Sequence, residues 1–219
     1  MFWQNFAEAG PEPRAWTTHY AAPMPDERRL WLPLRDFGDT AVAGLIANQA
    51  SFSVLDQLAD WIAVRVAPWK TDIVVGLPTL GHTVGAAVAR ALGHDGWVAP
   101  STTRKRWYND ALSAALSSIT SPAIGANAAR RMWLDPLLLP RLQGRRVLLV
   151  DDVISTGSSA LAGLALLRAA GIAPAGLAVA MIQGEAWRDA WPDVPVVAAF
   201  TTPRFRRVPE GWVPIAAGS

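Results

Sequence analysis

The chain contains no cysteine, which excludes disulfides, thiolate nucleophiles and zinc–thiolate centres. It has three histidines. His19 and His94 stand at no metal-ligand spacing to any partner, and His82, at the start of a helix-like run, reads as a capping or surface residue. Charge of either sign is not in great excess. The net charge of +2 over 219 residues argues against a broad nucleic-acid or membrane footprint. No apolar run is long enough for a membrane span: the most apolar window, 163–182, is broken by Arg168, Gly171, Pro174 and Gly176 and reads as helix, turn, strand. The opening stretch MFWQNFAEAGPEPR lacks a basic region followed by an apolar core, so a soluble cytoplasmic protein is expected. There is no Gly-x-x-x-x-Gly-Lys-Ser/Thr loop, no Gly-x-Gly-x-x-Gly after a strand, no internal repeat and no low-complexity tract.

What is present is a chain that is 51% hydrophobic, enough for one packed domain or a domain with an appendage. From Asp72 onward, short β-branched runs alternate with helical patterns. DIVVGL (72–77), WVAPST (97–102), RVLLV (146–150), GLAVAMI (176–182) and VPVVAAF (194–200) read as strands. GHTVGAAVARAL (81–92) and SSALAGLALLRAA (158–170) read as helices, each stopped by a glycine. Strands apolar on both faces predict an α/β fold with a central parallel sheet flanked by helices. Two regions break the alternation. Residues 1–70 hold a proline-rich lead, a strand at RLWLPL (29–34) and a helical stretch from about Thr40 to Val66, with Ser53 as a cap. Residues 103–145 form a long insertion, the length of a functional lid, in which LSSIT (116–120) and RRMWL (130–134) could pair around SPAIGANAA. Domain boundaries are therefore expected at 1–70, 71–202 and 203–219.

The stretch VLLVDDVISTGSS (147–159) places two acids and then a hydroxyl-rich turn where a parallel strand hands over to a helix. Ligands of open α/β sheets bind beyond the carboxyl ends of the strands. Residues Ser155 to Ser159 offer backbone N–H groups and hydroxyls at a helix start, which is an anion site. Asp151 and Asp152 would repel a phosphate but accept hydrogen bonds from neutral hydroxyls. The pattern therefore points to a sugar phosphate, with its phosphate in the turn and its vicinal hydroxyls on the acids. The local basic clusters, Arg104-Lys105-Arg106, Arg130-Arg131, Arg145-Arg146 and Arg204-Phe205-Arg206-Arg207, suit small anionic ligands or a solvated surface. Most of the 11 tryptophans are expected in the core or between packed units.

This stretch resembles the signature by which type I phosphoribosyltransferases bind phosphoribosyl pyrophosphate (PRPP). DIVVGLPTLG resembles the family's pyrophosphate loop, and Thr103-Arg104-Lys105 resembles a basic pair in its orotate and adenine members. The resemblance covers about residues 72–183. It implies a type I fold with a small hood, assembled from the amino-terminal segment and carboxy-terminal pieces, and a flexible hairpin lid over 103–135. It implies displacement of pyrophosphate from C1 of PRPP by a base nitrogen, with Mg²⁺ near Asp151 and Asp152, and a homodimer. Asp151 and Asp152 would hold the ribose hydroxyls, and Ser155, Thr156, Gly157, Ser158 and Ser159 the 5′-phosphate. Leu77, Pro78, Thr79, Leu80 and Gly81 would cradle pyrophosphate, with a cis bond at Pro78–Thr79 or, alternatively, at Leu77–Pro78. Arg104 and Lys105 would neutralise the leaving group. Trp107, Tyr108, Phe205 and Trp212 are candidates to stack on the base. Leu80 stands where some members carry a basic residue. Ser155 replaces the aspartate of hypoxanthine-guanine members, which sets that subfamily aside. The lid and the aromatic hood favour a purine as the base. An orotate-type enzyme and a PRPP-binding regulator without catalysis are the alternatives.

Overall fold

The computed structural model describes residues 4–116 and 130–216. The amino-terminal part contributes β1 (Phe6–Ala7), β2 (His19–Pro23), β3 (Arg29–Asp36), β4 (Thr40–Ala43) and α1 (Phe52–Val66). The middle follows with β5 (Ile73–Gly76), α2 (Gly81–Ala91), β6 (Trp97–Val98), β7 (Ser113–Ala115), β8 (Arg131–Trp133) and α3 (Leu139–Leu142). The last part holds β9 (Val147–Ile154), α4 (Ser158–Ala169), β10 (Gly176–Gln183), β11 (Val196–Thr202), β12 (Arg204–Val208) and β13 (Gly211–Pro214).

The expected parallel sheet is present, with strand order β11-β10-β9-β5-β6 and every neighbouring pair parallel. Both faces are covered, as the continuous apolar runs required. Val74, Leu148 and Ala178 pack toward α1, α2 and the antiparallel strands. Val75, Leu149 and Val179 pack toward α4 and the hairpin β7–β8. β9 is longer than its apolar run. It stays paired with β10 as far as Ile154↔Ile182, so Asp151 and Asp152 lie within the strand rather than just past its end. β6 is shorter than expected, because Ser101 pairs with Trp133 instead.

The hood is a second sheet, order β1-β3-β4-β12-β13 with β2 also on β3. In β3, Leu30 and Leu32 are buried while Trp31 between them is exposed, the alternation of a strand with one buried face. The stretch from Thr40 does not start a helix. Residues 40–43 form β4 because β3 and the distant β12 both pair with it. Helix α1 begins at Phe52, and its cap is Ser51 rather than Ser53: the Ser51 hydroxyl accepts from the Val54 N–H at 3.3 Å. In the insertion the hairpin pairs Ser113↔Trp133 and Ala115↔Arg131. Its first arm thus starts three residues before the expected Leu116, whose N–H donates to Arg130 at 2.7 Å. The remainder of that arm and the tip Ser121–Ala129 lie outside the described residues. Among the described residues no helix is long and apolar enough to cross a membrane.

Candidate active site

Strands β5 and β9 are parallel neighbours, with Gly76 opposite Val150. Their carboxyl ends therefore open side by side, and two loops leave the sheet next to each other. The first, Leu77 to Leu80, is tied down by the Leu77 N–H donating to Val150 at 2.8 Å, and its Pro78–Thr79 bond is cis. It feeds α2, whose first turn has no side-chain cap, so its N–H groups remain available to an anion. A Cβ at Gly81 would lie 2.5 Å from Asp151 Oδ1 and 2.9 Å from Asp151 Cα. Only glycine lets the helix start rest on that carboxylate. His82 neither caps nor faces solvent freely: its Nε2 sits 2.9 Å from the Pro100 carbonyl oxygen, and burial lowers its pKa.

The second loop follows β9. Gly157 has φ +82, a conformation that glycine adopts without strain, and it turns the chain into α4. That helix also lacks a side-chain cap. Thr156 and Ser158 hydroxyls lie 3.0 Å apart. Hydroxyls and helix-start amides are thus gathered in five residues, as the sequence pattern indicated.

Between the loops stand the two acids. Asp151 is only 3% exposed, and its Oδ1 accepts the Asp152 N–H at 2.9 Å. No cation pairs with either acid among the described residues. Burial pushes the pKa of Asp151 well up, and the neighbouring Asp152 charge pushes it further; burial also raises that of Asp152. A buried and a half-buried carboxylate without a counter-ion make a site that a ligand completes.

A cavity of about 580 Å³ lies over the second loop. Ser155 to Ser159 and Val153 form one side, and Phe37, Thr40 and Val42 from the hood form another. Gln183 and Arg204 also line it. Phe37 is 58% exposed, so its ring is available to a ligand.

Asp151, Asp152 and Leu77 to Gly81 do not themselves line this cavity, and the structure does not bring the remaining sequence candidates to it. Arg104 is turned to Asp110 at 3.0 Å, with its guanidinium 5.4 Å from the Trp133 ring centre. The adjacent Lys105 is exposed and does not line the cavity. Trp107 donates to Asp135 at 3.2 Å and meets Tyr108 edge-on. Phe205 is fully buried against Tyr20, and Trp212 is buried, with its backbone paired to Trp16 and Arg207 over its ring. These two rings build the hood and leave no face for a base. Arg204 belongs to the basic cluster 204–207 that suits a small anionic ligand or a solvated surface, whereas Phe37 and Gln183 were not singled out from sequence. The only signal of those two was membership of segments that converge in the fold.

The model of the phosphoribosyl transferase domain family matches residues 42–195. An adenine phosphoribosyltransferase of Xanthomonas oryzae pv. oryzae is 34% identical over 176 residues, covering 73% of this chain and 80% of that protein. One from Corynebacterium kroppenstedtii is 28% identical over 160 residues, covering 69% and 76%. Among solved structures, the adenine phosphoribosyltransferase of Saccharomyces cerevisiae superposes with TM-score 0.54 at 20% identity over 68% of this chain and 81% of that one. The Rhodothermus marinus enzyme of the same name gives 0.52 at 24%, over 65% and 77%. With two uncapped helix starts and the acid pair at one end of a parallel sheet, and the family match spanning most of the chain, the protein belongs to the type I phosphoribosyltransferase family.

Proposed function

We propose that this chain transfers the 5-phosphoribosyl group of PRPP to a ring nitrogen of a purine and releases pyrophosphate. The observation that carries the proposal is the acid pair, buried Asp151 and half-buried Asp152, without a counter-ion among the described residues and between two uncapped helix starts. PRPP has the matching order of groups: 5′-phosphate for Ser155–Ser159, ribose hydroxyls for Asp151 and Asp152, pyrophosphate for Leu77–Gly81. The base then stacks between Phe37 and Val153, which line the same cavity. The names of the relatives from Xanthomonas and Corynebacterium support adenine as that base.

In the reaction the base nitrogen bonds to C1 as the C1–O bond breaks, pyrophosphate departs with the electron pair, and the proton of that nitrogen is released to solvent. The helix-start amides of α2 hold the departing anion. Arg104 and Lys105 stand at the foot of the hairpin, and delivering Arg104 to pyrophosphate requires its Asp110 pair to open. That exposed pair is a weak restraint. Residues 71–202 then serve as the PRPP-holding core, and 1–70 with 203–219 as the base-holding hood.

No group of three or more His, Cys, Asp or Glu side chains among the described residues could hold a metal. Mg²⁺ bound by one or two carboxylates plus ligand oxygens fits what is present. Asp151 and Asp152 would hold it together with PRPP, and it would supply positive charge against the pyrophosphate. A soluble, cytoplasmic homodimer goes with this reading.

The test is incubation of the purified chain with Mg²⁺, PRPP and a panel of bases, read by nucleotide and pyrophosphate formation. Stoichiometric AMP and pyrophosphate from adenine are expected. PRPP binding without turnover on any base would overturn the enzymatic reading.

A further inference from the structure

Arg204 is the one charged side chain that lines the cavity among the described residues. It carries no ion pair and no side-chain hydrogen bond among them. Glu185, an acid in the segment beneath it, is taken by Arg188 at 3.6 Å. The placement of Arg204 follows from the strand. In β12, Phe205 turns inward to the hood core, so Arg204 before it must point the opposite way. Its backbone is fixed opposite Val42, another residue lining the cavity. Its stem is held as well: a Cβ at Gly184 would lie 3.3 Å from Arg204 Cγ and 3.4 Å from Cδ. Three residues further on, Trp187 backs the phosphate turn, 3.4 Å from where a Cβ at Gly157 would be. The arginine stem and the turn thus rest on the same short segment, 184–187.

A long cation held toward a cavity, without an acid to meet it, is matched by an anionic group of the ligand. The turn itself offers only hydroxyls, amides and the partial charge of a helix start, which leaves a phosphate dianion incompletely neutralised. We propose that Arg204 is the hood's phosphate clamp, its guanidinium pairing with the 5′-phosphate seated in Ser155–Ser159. The inference rests on the phosphoribosyl reading of that turn. It adds a function for the hood: besides holding the base, it tests that the ribose is phosphorylated, and a nucleoside or free ribose would leave Arg204 without its partner.

Calorimetric titration with ribose 5-phosphate tests this, with ribose as the control. Arg204 is exposed and unpaired, so Arg204→Gln is expected to melt at the wild-type temperature. It should bind ribose 5-phosphate about tenfold more weakly, the effect of losing a charge-assisted hydrogen bond. Arg204→Lys should recover part of the loss by keeping the charge. The KM for the base should stay within about twofold. Wild-type affinity for ribose 5-phosphate in Arg204→Gln overturns the clamp alone, as does a loss confined to the KM for the base. Failure of the wild-type chain to bind ribose 5-phosphate at all overturns the assignment of the turn, and the clamp with it.

Discussion

Asp151 is a carboxylate that the fold holds at a cost. It is buried, it faces Asp152, and the bond it accepts from the Asp152 N–H only partly compensates. Its folded pKa lies above the unfolded one, so the folded state binds more protons between the two. Ligand-free stability should therefore fall as pH rises from the ordinary carboxylate range through the raised value. Asp72 has the opposite sign. Arg146 grips it at 2.9 Å and holds its pKa at about 2, so its contribution is present above the ordinary aspartate value and fades as pH falls toward about 2. Asp151→Asn keeps the acceptor oxygen and removes the charge. The variant is expected to melt higher than wild type at pH 8 without ligand, by about 2–4 °C for each kcal/mol relieved, with little difference at pH 4. Its affinity for PRPP should fall several-fold. Equal melting temperatures at pH 8 would show that the charge is not a burden on the fold. The acid pair itself was plain in the sequence; its burial was not, because β9 continues through it.

The strand–helix alternation after Asp72 and the turn 155–159 were legible because each depends on neighbours in sequence: apolar runs, stopping glycines, a helix start. β4 was not, since residues 40–43 take strand form only by pairing with β3 and with β12 more than 160 positions away. Phe205 and Trp212 looked available as aromatics near the chain end, and only their sheet partners show that they are hood core. The loop Leu77–Gly81 belongs to the legible class in position but not in its reason for glycine. That reason is the approach of α2 to Asp151, at 2.5 Å for any added Cβ. Gly81→Ala must push helix and carboxylate apart. It is expected to lower unfolding free energy by about 1–3 kcal/mol, read by urea denaturation, and to weaken PRPP binding more than it weakens ribose 5-phosphate binding, because the displaced loop is the pyrophosphate side. Equal losses for both ligands would mean the damage spreads to the whole sheet end.

The cavity exists only because hood and core are held in register across the molecule. Its walls come from Phe37, Val153, Gln183 and Arg204, four segments that no local pattern connects, which is why the base side of the site could not be read from sequence. One polar side chain bridges the two sheets directly. Gln183, 6% exposed at the end of β10, donates to the Ala43 carbonyl of β4 at 2.7 Å. Gln4 makes a comparable buried staple within the hood side, donating to Gly44 at 2.9 Å and accepting from Ile46 at 2.7 Å. Removing either leaves buried backbone groups without a partner, at about 1–3 kcal/mol. Gln183→Met and Gln4→Leu should therefore both lower stability by that order. They differ in what the loosened contact governs. The Gln183 bond sets the distance between the Phe37 side and the Val153 side of the cavity, so Gln183→Met should raise the KM for the base and, because Arg204 is paired to the same strand β4, weaken ribose 5-phosphate binding as well. Gln4→Leu should leave the KM for the base unchanged, since Gln4 does not line the cavity. If the two variants raise that KM equally, the hood acts through its overall stability, and Gln183 has no particular hold on the base site.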